Sequence, residues 1–112
     1  MTGMSSGGPA DPEFVGSRDA SAAELAALPA STADAVRVIE RCIASRHVVE
    51  VDYVDEGGRS EKLQVWPAFI RTSTAGHVVL WAMSPERGHW LQLRLDRVQS
   101  GTDTGKAFNP TW

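Results

Sequence analysis

Two arginines three residues apart, Arg94 and Arg97, close the stretch His89-Trp90-Leu91-Gln92-Leu93-Arg94-Leu95-Asp96-Arg97-Val98. A guanidinium is a planar fork of donors that fits a phosphate bidentately, so two of them near a strand end could clamp an anion. The competing arrangement is internal. Asp96 or Glu50 can pair with either arginine, and for Arg97 the neighbouring Asp96 is the expected partner. Trp66, Trp81 and Trp90 are many tryptophans for so short a chain. Tryptophan beside arginine can stack a base while the cation holds its phosphate, and Trp90 precedes Arg94 on one strand. The alternative use of these rings is core packing or a self-association surface.

Other reactive types do not converge. His47, His77 and His89 stand at expected strand starts, where a rim could bring two together, but no partners mark a metal or catalytic set. Gly57-Gly58 reads as a turn rather than a phosphate loop, and no Ser-His-Asp pattern has supporting motifs. The expectation is a non-enzymatic chain with no catalytic residue, no metal and no cofactor. Cys42 is a single cysteine, read as a buried small apolar residue.

Composition bounds the rest. A chain of 112 residues makes one domain with tails. The net charge of −3 gives no general attraction to nucleic acid or anionic lipid, so any anion site must be local. No run approaches the roughly 18 apolar residues of a membrane helix. The N-terminus lacks the charged-then-apolar order of a secretory signal, so the expected location is cytoplasmic, with no membrane partner.

The positioning elements follow from periodicity. Residues 1–20, rich in Gly, Ser, Pro and Asp, are expected to be a disordered tail, in which Asp11-Pro12-Glu13-Phe14 has either a vector-like or a native origin. Ser21 and Glu24 have capping-box spacing for a helix that stops at Pro29. A second helix, capped by Ser31 or Thr32, runs to about Ser45 with Ala35, Val36, Ile39, Cys42 and Ile43 on one face. From His47 the period becomes two. Val49, Val51 and Tyr53 share a face, Asp55-Glu56-Gly57-Gly58 turns the chain, and Lys62–Trp66 returns. Pro67 marks a break, bulge or edge. Ala68–Thr72, His77–Met83 and Trp90–Leu95 complete five short strands, with Leu91, Leu93 and Leu95 facing a core. Trp81 falls on the face opposite Val78 and Leu80, an exposed apolar patch unless something covers it. The predicted fold is mainly β, a small five-stranded barrel with an N-terminal amphipathic helix over residues 21–100. Residues 101–112 are a C-terminal tail from which Phe108 or Trp112 can dock back.

In this order, residues 35–98 resemble the WYL domain family. Val49-Glu50-Val51-Asp52-Tyr53 looks like its first strand, Gly57-Gly58 its hairpin turn and Val65-Trp66-Pro67 its strand end. Val78-Val79-Leu80 occupies the segment that names the family, keeping only the leucine. Leu93-Arg94-Leu95-Asp96-Arg97-Val98 looks like its closing motif, the most specific piece. The resemblance implies an Sm-like, SH3-like barrel. It also implies a ligand-sensing module of bacterial transcription regulators or phage-defence systems, with single-stranded nucleic acid or a nucleotide as ligand. Arg94 and Arg97 match the family, as does Tyr53, whose ring would pack in the barrel with its hydroxyl at the rim. With Trp90 they form the expected ligand-binding set. Leu91 falls where many members carry an arginine for the anion, so Leu91→Arg would be expected to restore affinity if the side chain faced the groove. Residues 1–46 are too few for the winged DNA-reading module that usually precedes such a domain, which implies a stand-alone protein or an excised domain. The alternative function is a protein-interaction or homo-oligomerisation module that has lost the ligand site.

Overall fold

A computed structural model of the chain describes residues 9–110 and Trp112. The expected disorder of residues 1–8 lies outside the described residues.

The chain opens with structure where a loose tail was expected. Asp11 accepts a hydrogen bond from the Glu13 amide at 2.8 Å and Pro12 occupies the first turn, so Pro12–Val15 forms a one-turn helix, α1. Arg18–Asp19, β1, then pairs antiparallel with Thr72 and Arg71. The capping box forms as read: Ser21 and Glu24 bond reciprocally at 2.9 and 3.1 Å and start α2, Ala22–Ala26.

The long helix α3, Ala30–Ser45, is capped two residues before Ser31 and three before Thr32, its expected caps. Pro29 takes the N-cap position, with no side-chain cap bond. Thr32 instead turns inward, where its buried hydroxyl donates to the Val98 carbonyl at 3.3 Å. The apolar face is as anticipated. Ala35, Val36, Ile39 and Cys42 are buried, and Ile43 packs at the core's margin. Burial pushes the Cys42 thiol up to about 11, which keeps it protonated and inert at neutral pH.

Five further strands follow: β2 His47–Val54, β3 Ser60–Thr72, β4 Val78–Ser84, β5 His89–Arg94 and β6 Val98–Ala107. Asp55 pins the β2–β3 turn by accepting from the amides of Gly57 and Arg59, both at 2.9 Å, while Gly58 supplies φ 81°. The two short strands expected on either side of Pro67 are one long strand. Its first half pairs with β2 and its second with β4, and the register shifts between Pro67 and Phe69. Proline has no amide to donate, so the chain bulges and bends there without ending.

The mainly β class with a leading amphipathic helix stands, but the strand count and closure differ from the expected five-stranded barrel. The sheet has six antiparallel strands, running β5-β4-β3-β2-β6 with β1 on β3, and it does not close. A three-residue 3-10 turn, Leu95–Arg97, carries the chain from one edge strand to the other. Residues 101–107, expected in a tail, belong to β6, which pairs with β2 from His47 to Tyr53. β6 lies against α3 at Gly101, where a Cβ would make ordinary contact with Ala35 at 3.4–3.7 Å. Phe108 docks back, buried, with its ring stacked on Trp66 at 5.0 Å.

The core lies between α3 and the inner face of the sheet. Val49, Val51, Leu63, Val65, Val78, Leu80, Leu93, Leu95 and Val98 meet the helix there. The outer face of β4 is covered as well. Trp81 is only 3% exposed, because Phe14 of α1 sets its ring edge-on against it at 5.3 Å. The patch considered from the sequence is thus filled by the chain's own N-terminal segment.

Candidate anion-binding pocket

The strand alternation of β5 sends Leu91 and Leu93 toward the core and Gln92 and Arg94 to the outer face. There a cavity of about 480 Å³ opens between the β4–β5 outer face, the turn Ser73–His77 and the start of the β2–β3 turn. Its lining includes Arg94 and Gln92 from β5, Arg97 from the 3-10 turn, Tyr53 from the end of β2, and His77. Glu13 and Glu56 complete the rim.

Arg94 is held bidentately by Asp96, with Nε to Oδ1 at 3.1 Å and Nη2 to Oδ2 at 2.6 Å. This reverses the expected pairing, in which Asp96 would take Arg97. Side chains two apart on extended chain share a side, and the turn starts just after Arg94, so Asp96 folds back under it. The hydrogen bond to Asp96 holds Arg94 above its usual range, and its counterpart holds Asp96 below the usual carboxylate range. Both side chains are about a third exposed, so the pair is screened by water and salt and an incoming anion can compete for the guanidinium. Among the described residues the carboxylate within ion-pair distance of Arg97 is Glu56, at 3.9 Å, and Glu56 is 90% exposed. A carboxylate so hydrated and so distant leaves most of Arg97's donors available.

The Tyr53 hydroxyl accepts from the Arg94 backbone amide at 3.3 Å. It therefore ties the end of β2 to the edge of β5 across the sheet's open side. The ring packs on the core, as the sequence suggested, with the hydroxyl at the rim.

Arg94, Arg97 and Tyr53 thus share one cavity, whereas Trp90 does not line it. Trp90 lies four residues back on β5, roughly 13 Å away along a strand. Its ring meets Trp112 at 5.0 Å and Phe69 at 6.3 Å. Leu91 packs against the core cluster and pairs with Ala82, on the opposite face from the cavity. The histidines part company. His77 lines the cavity, His47 faces Asp103 at 3.0 Å, and His89 bonds the Trp90 carbonyl at 3.1 Å. Among the described residues no three His, Cys, Asp or Glu side chains could jointly hold a metal ion.

Sequence reasoning missed Glu13 and Glu56, whereas strand parity alone already turned Gln92, with Arg94, away from the leucine face. For Glu13 the signal was present: Asp-Pro at a helix start is a local rule, overridden by the polar composition around it.

Compared with known proteins, residues 34–102 match the family model described as the WYL domain. By structure, the chain is similar to proteasome accessory factor B/C (PafBC) of Arthrobacter aurescens, with a TM-score of 0.62 and 21% sequence identity. The likeness is one of fold. It covers 69% of this chain and 12% of that one, so the chain spans a small part of that protein's length. No curated protein matches the chain's sequence. No helix among the described residues is long and apolar enough to cross a membrane.

Proposed function

This chain belongs to the WYL domain family, and from that premise we propose that it is a non-enzymatic regulatory module. In this reading it acts in the cytoplasm, in transcription regulation or phage defence, and senses single-stranded nucleic acid or a nucleotide. The observation that carries the reading is the cavity itself, in which two guanidinium groups from separate backbone positions face one space with Tyr53 and His77. A phosphate fits such a pair because each guanidinium supplies parallel donors and neither must leave a buried partner. The sugar and base of a nucleotide would find Gln92 and the Ser73–Ala75 turn at the rim.

Fluorescence anisotropy with labelled oligonucleotides and nucleotides, at low and at physiological salt, tests this. Binding should weaken with salt and fall about tenfold in Arg97→Ala, a loss of ~1.4 kcal/mol. No binding at low salt, or full binding by Arg97→Ala, defeats the reading.

A second reading is favoured by Arg94 being occupied by Asp96 and by the aromatic cluster of Trp66, Trp90, Phe108 and Trp112 at the other end of the sheet. It makes the domain a protein-interaction or homo-oligomerisation module. Size-exclusion chromatography with light scattering separates the two. A concentration-dependent dimer without oligonucleotide binding supports the second, and a monomer that binds oligonucleotide supports the first.

A further inference from the structure

The segment Asp11–Asp19 lies outside the stretch that matches the family model, yet it covers the face next to the cavity. Phe14 seats its ring 5.1 Å from Phe69 and 5.3 Å from Trp81, with the Arg71 guanidinium 4.7 Å over it. The preceding residue, Glu13, lines the same cavity as Arg94 and Arg97. Two consecutive residues thus set a carboxylate at the arginine cavity and an aromatic ring against an aromatic floor, tilted 57° to Phe69 and edge-on to Trp81. A nucleotide would present its phosphate and base in that arrangement.

We propose that Asp11–Asp19 is an intramolecular pseudo-ligand, occupying a base-stacking site continuous with the Arg94–Arg97 cavity, from which single-stranded nucleic acid displaces it. The inference rests on the nucleic-acid reading above and adds to it a second subsite and a gate. Phe69 and Trp81 are the floor that displacement would bare, and Trp90 extends it past Phe69. Such stacking tolerates any base, because every base has a π-face.

The segment's hold suits a displaceable strap. α1 is one turn with no buried residue, and Val15 is 71% exposed. β1 contributes only two paired residues. The main clasp is one side chain. Arg71 donates to Asp19 Oδ1 at 2.9 Å, to Ser17 Oγ at 3.0 Å and to the Ser17 carbonyl at 2.7 Å. When the strap leaves, Arg71 loses those acceptors and becomes a third cation beside the bared rings, free to take a phosphate.

The test uses the full chain and a short fluorescein-labelled oligothymidylate. Phe14→Ala should bind about tenfold tighter than the wild type, and Glu13→Gln a few-fold tighter, because each removes part of the competitor. In the wild type, saturating oligothymidylate should speed tryptic cleavage after Arg18, which β1 pairing and the Glu24 ion pair otherwise hold. Circular dichroism reports whether Phe14→Ala folds. If it does not, the exposed Glu13→Gln and the cleavage assay decide. Wild-type binding with no tightening in the folded variants, or with cleavage unchanged, leaves the cavity reading standing and overturns the strap. No binding by any of the three proteins overturns both.

Discussion

At Leu91 the family resemblance and the strand geometry make opposite forecasts. The resemblance puts an anion-contacting arginine there. The structure puts Leu91 opposite Ala82 on the core side of β5, packed against the core cluster, while Gln92 and Arg94 project into the cavity. Leu91→Arg therefore adds its charge on the wrong face. Fully burying a leucine is worth about 1.5–3 kcal/mol. Leu91 is only part-buried, and β5 is an edge strand, so an arginine can lay its stem on the core margin and carry its head to water. The expected cost is ~1 kcal/mol of stability, with oligonucleotide affinity unchanged. Gln92→Arg is the matched control. It places the same group one residue on, in the cavity, and should tighten binding about tenfold, or ~1.4 kcal/mol. Anisotropy with a labelled oligonucleotide gives the affinities, and urea unfolding followed by tryptophan fluorescence gives the stabilities. Tenfold tighter binding by Leu91→Arg at unchanged stability would refute the reasoning. It would mean that β5 presents its other face, because a one-residue slip in register exchanges every side chain between core and solvent.

Two further predictions concern the frame. Ile39 has no exposed surface in the α3–sheet core, so Ile39→Ala should cost roughly 2–5 kcal/mol in lost transfer energy and cavity formation. Glu40→Ala, exposed on the same helix, should cost under ~0.5 kcal/mol. Equal urea midpoints for the two variants would mean that α3 is not docked. Glu24 is held down to about 2 from 4.5, first by its hydrogen bonds from Arg18 and then by the Ser21 amide. The stability this carboxylate contributes is present above pH 4.5 and is lost as pH falls toward 2. A carboxyl NMR titration should show that low midpoint and its return toward 4.5 in Arg18→Ala. An unchanged midpoint in the variant would exclude Arg18 as the cause.

What the sequence determined by itself was whatever depends on near neighbours. The capping box at Ser21 and Glu24, the buried stripe of α3, the turn at Asp55–Gly58 and the leucine parity of β5 are local patterns, because helix and strand periods dictate which side chains share a face. The WYL resemblance was legible for the same reason: its landmarks are short motifs in chain order. Tertiary structure decided what depends on partners distant in sequence. Pro67 signalled a disturbance, but whether the strand ended or bent was settled by β4 offering new partners beyond it. The polar run from Gly101 to Ala107 has no apolar alternation, and became a strand because β2 had a free edge to pair with. Asp96 chose Arg94 over Arg97 through the path of the 3-10 turn. The same holds for the site. Arg94, Arg97 and Tyr53 were found one by one from residue type, but their meeting, and the exclusion of Trp90, depend on how the sheet curls. Phe14 lies in a segment whose composition suggests disorder, and it is ordered by a greasy face more than fifty residues away that no local rule connects to it.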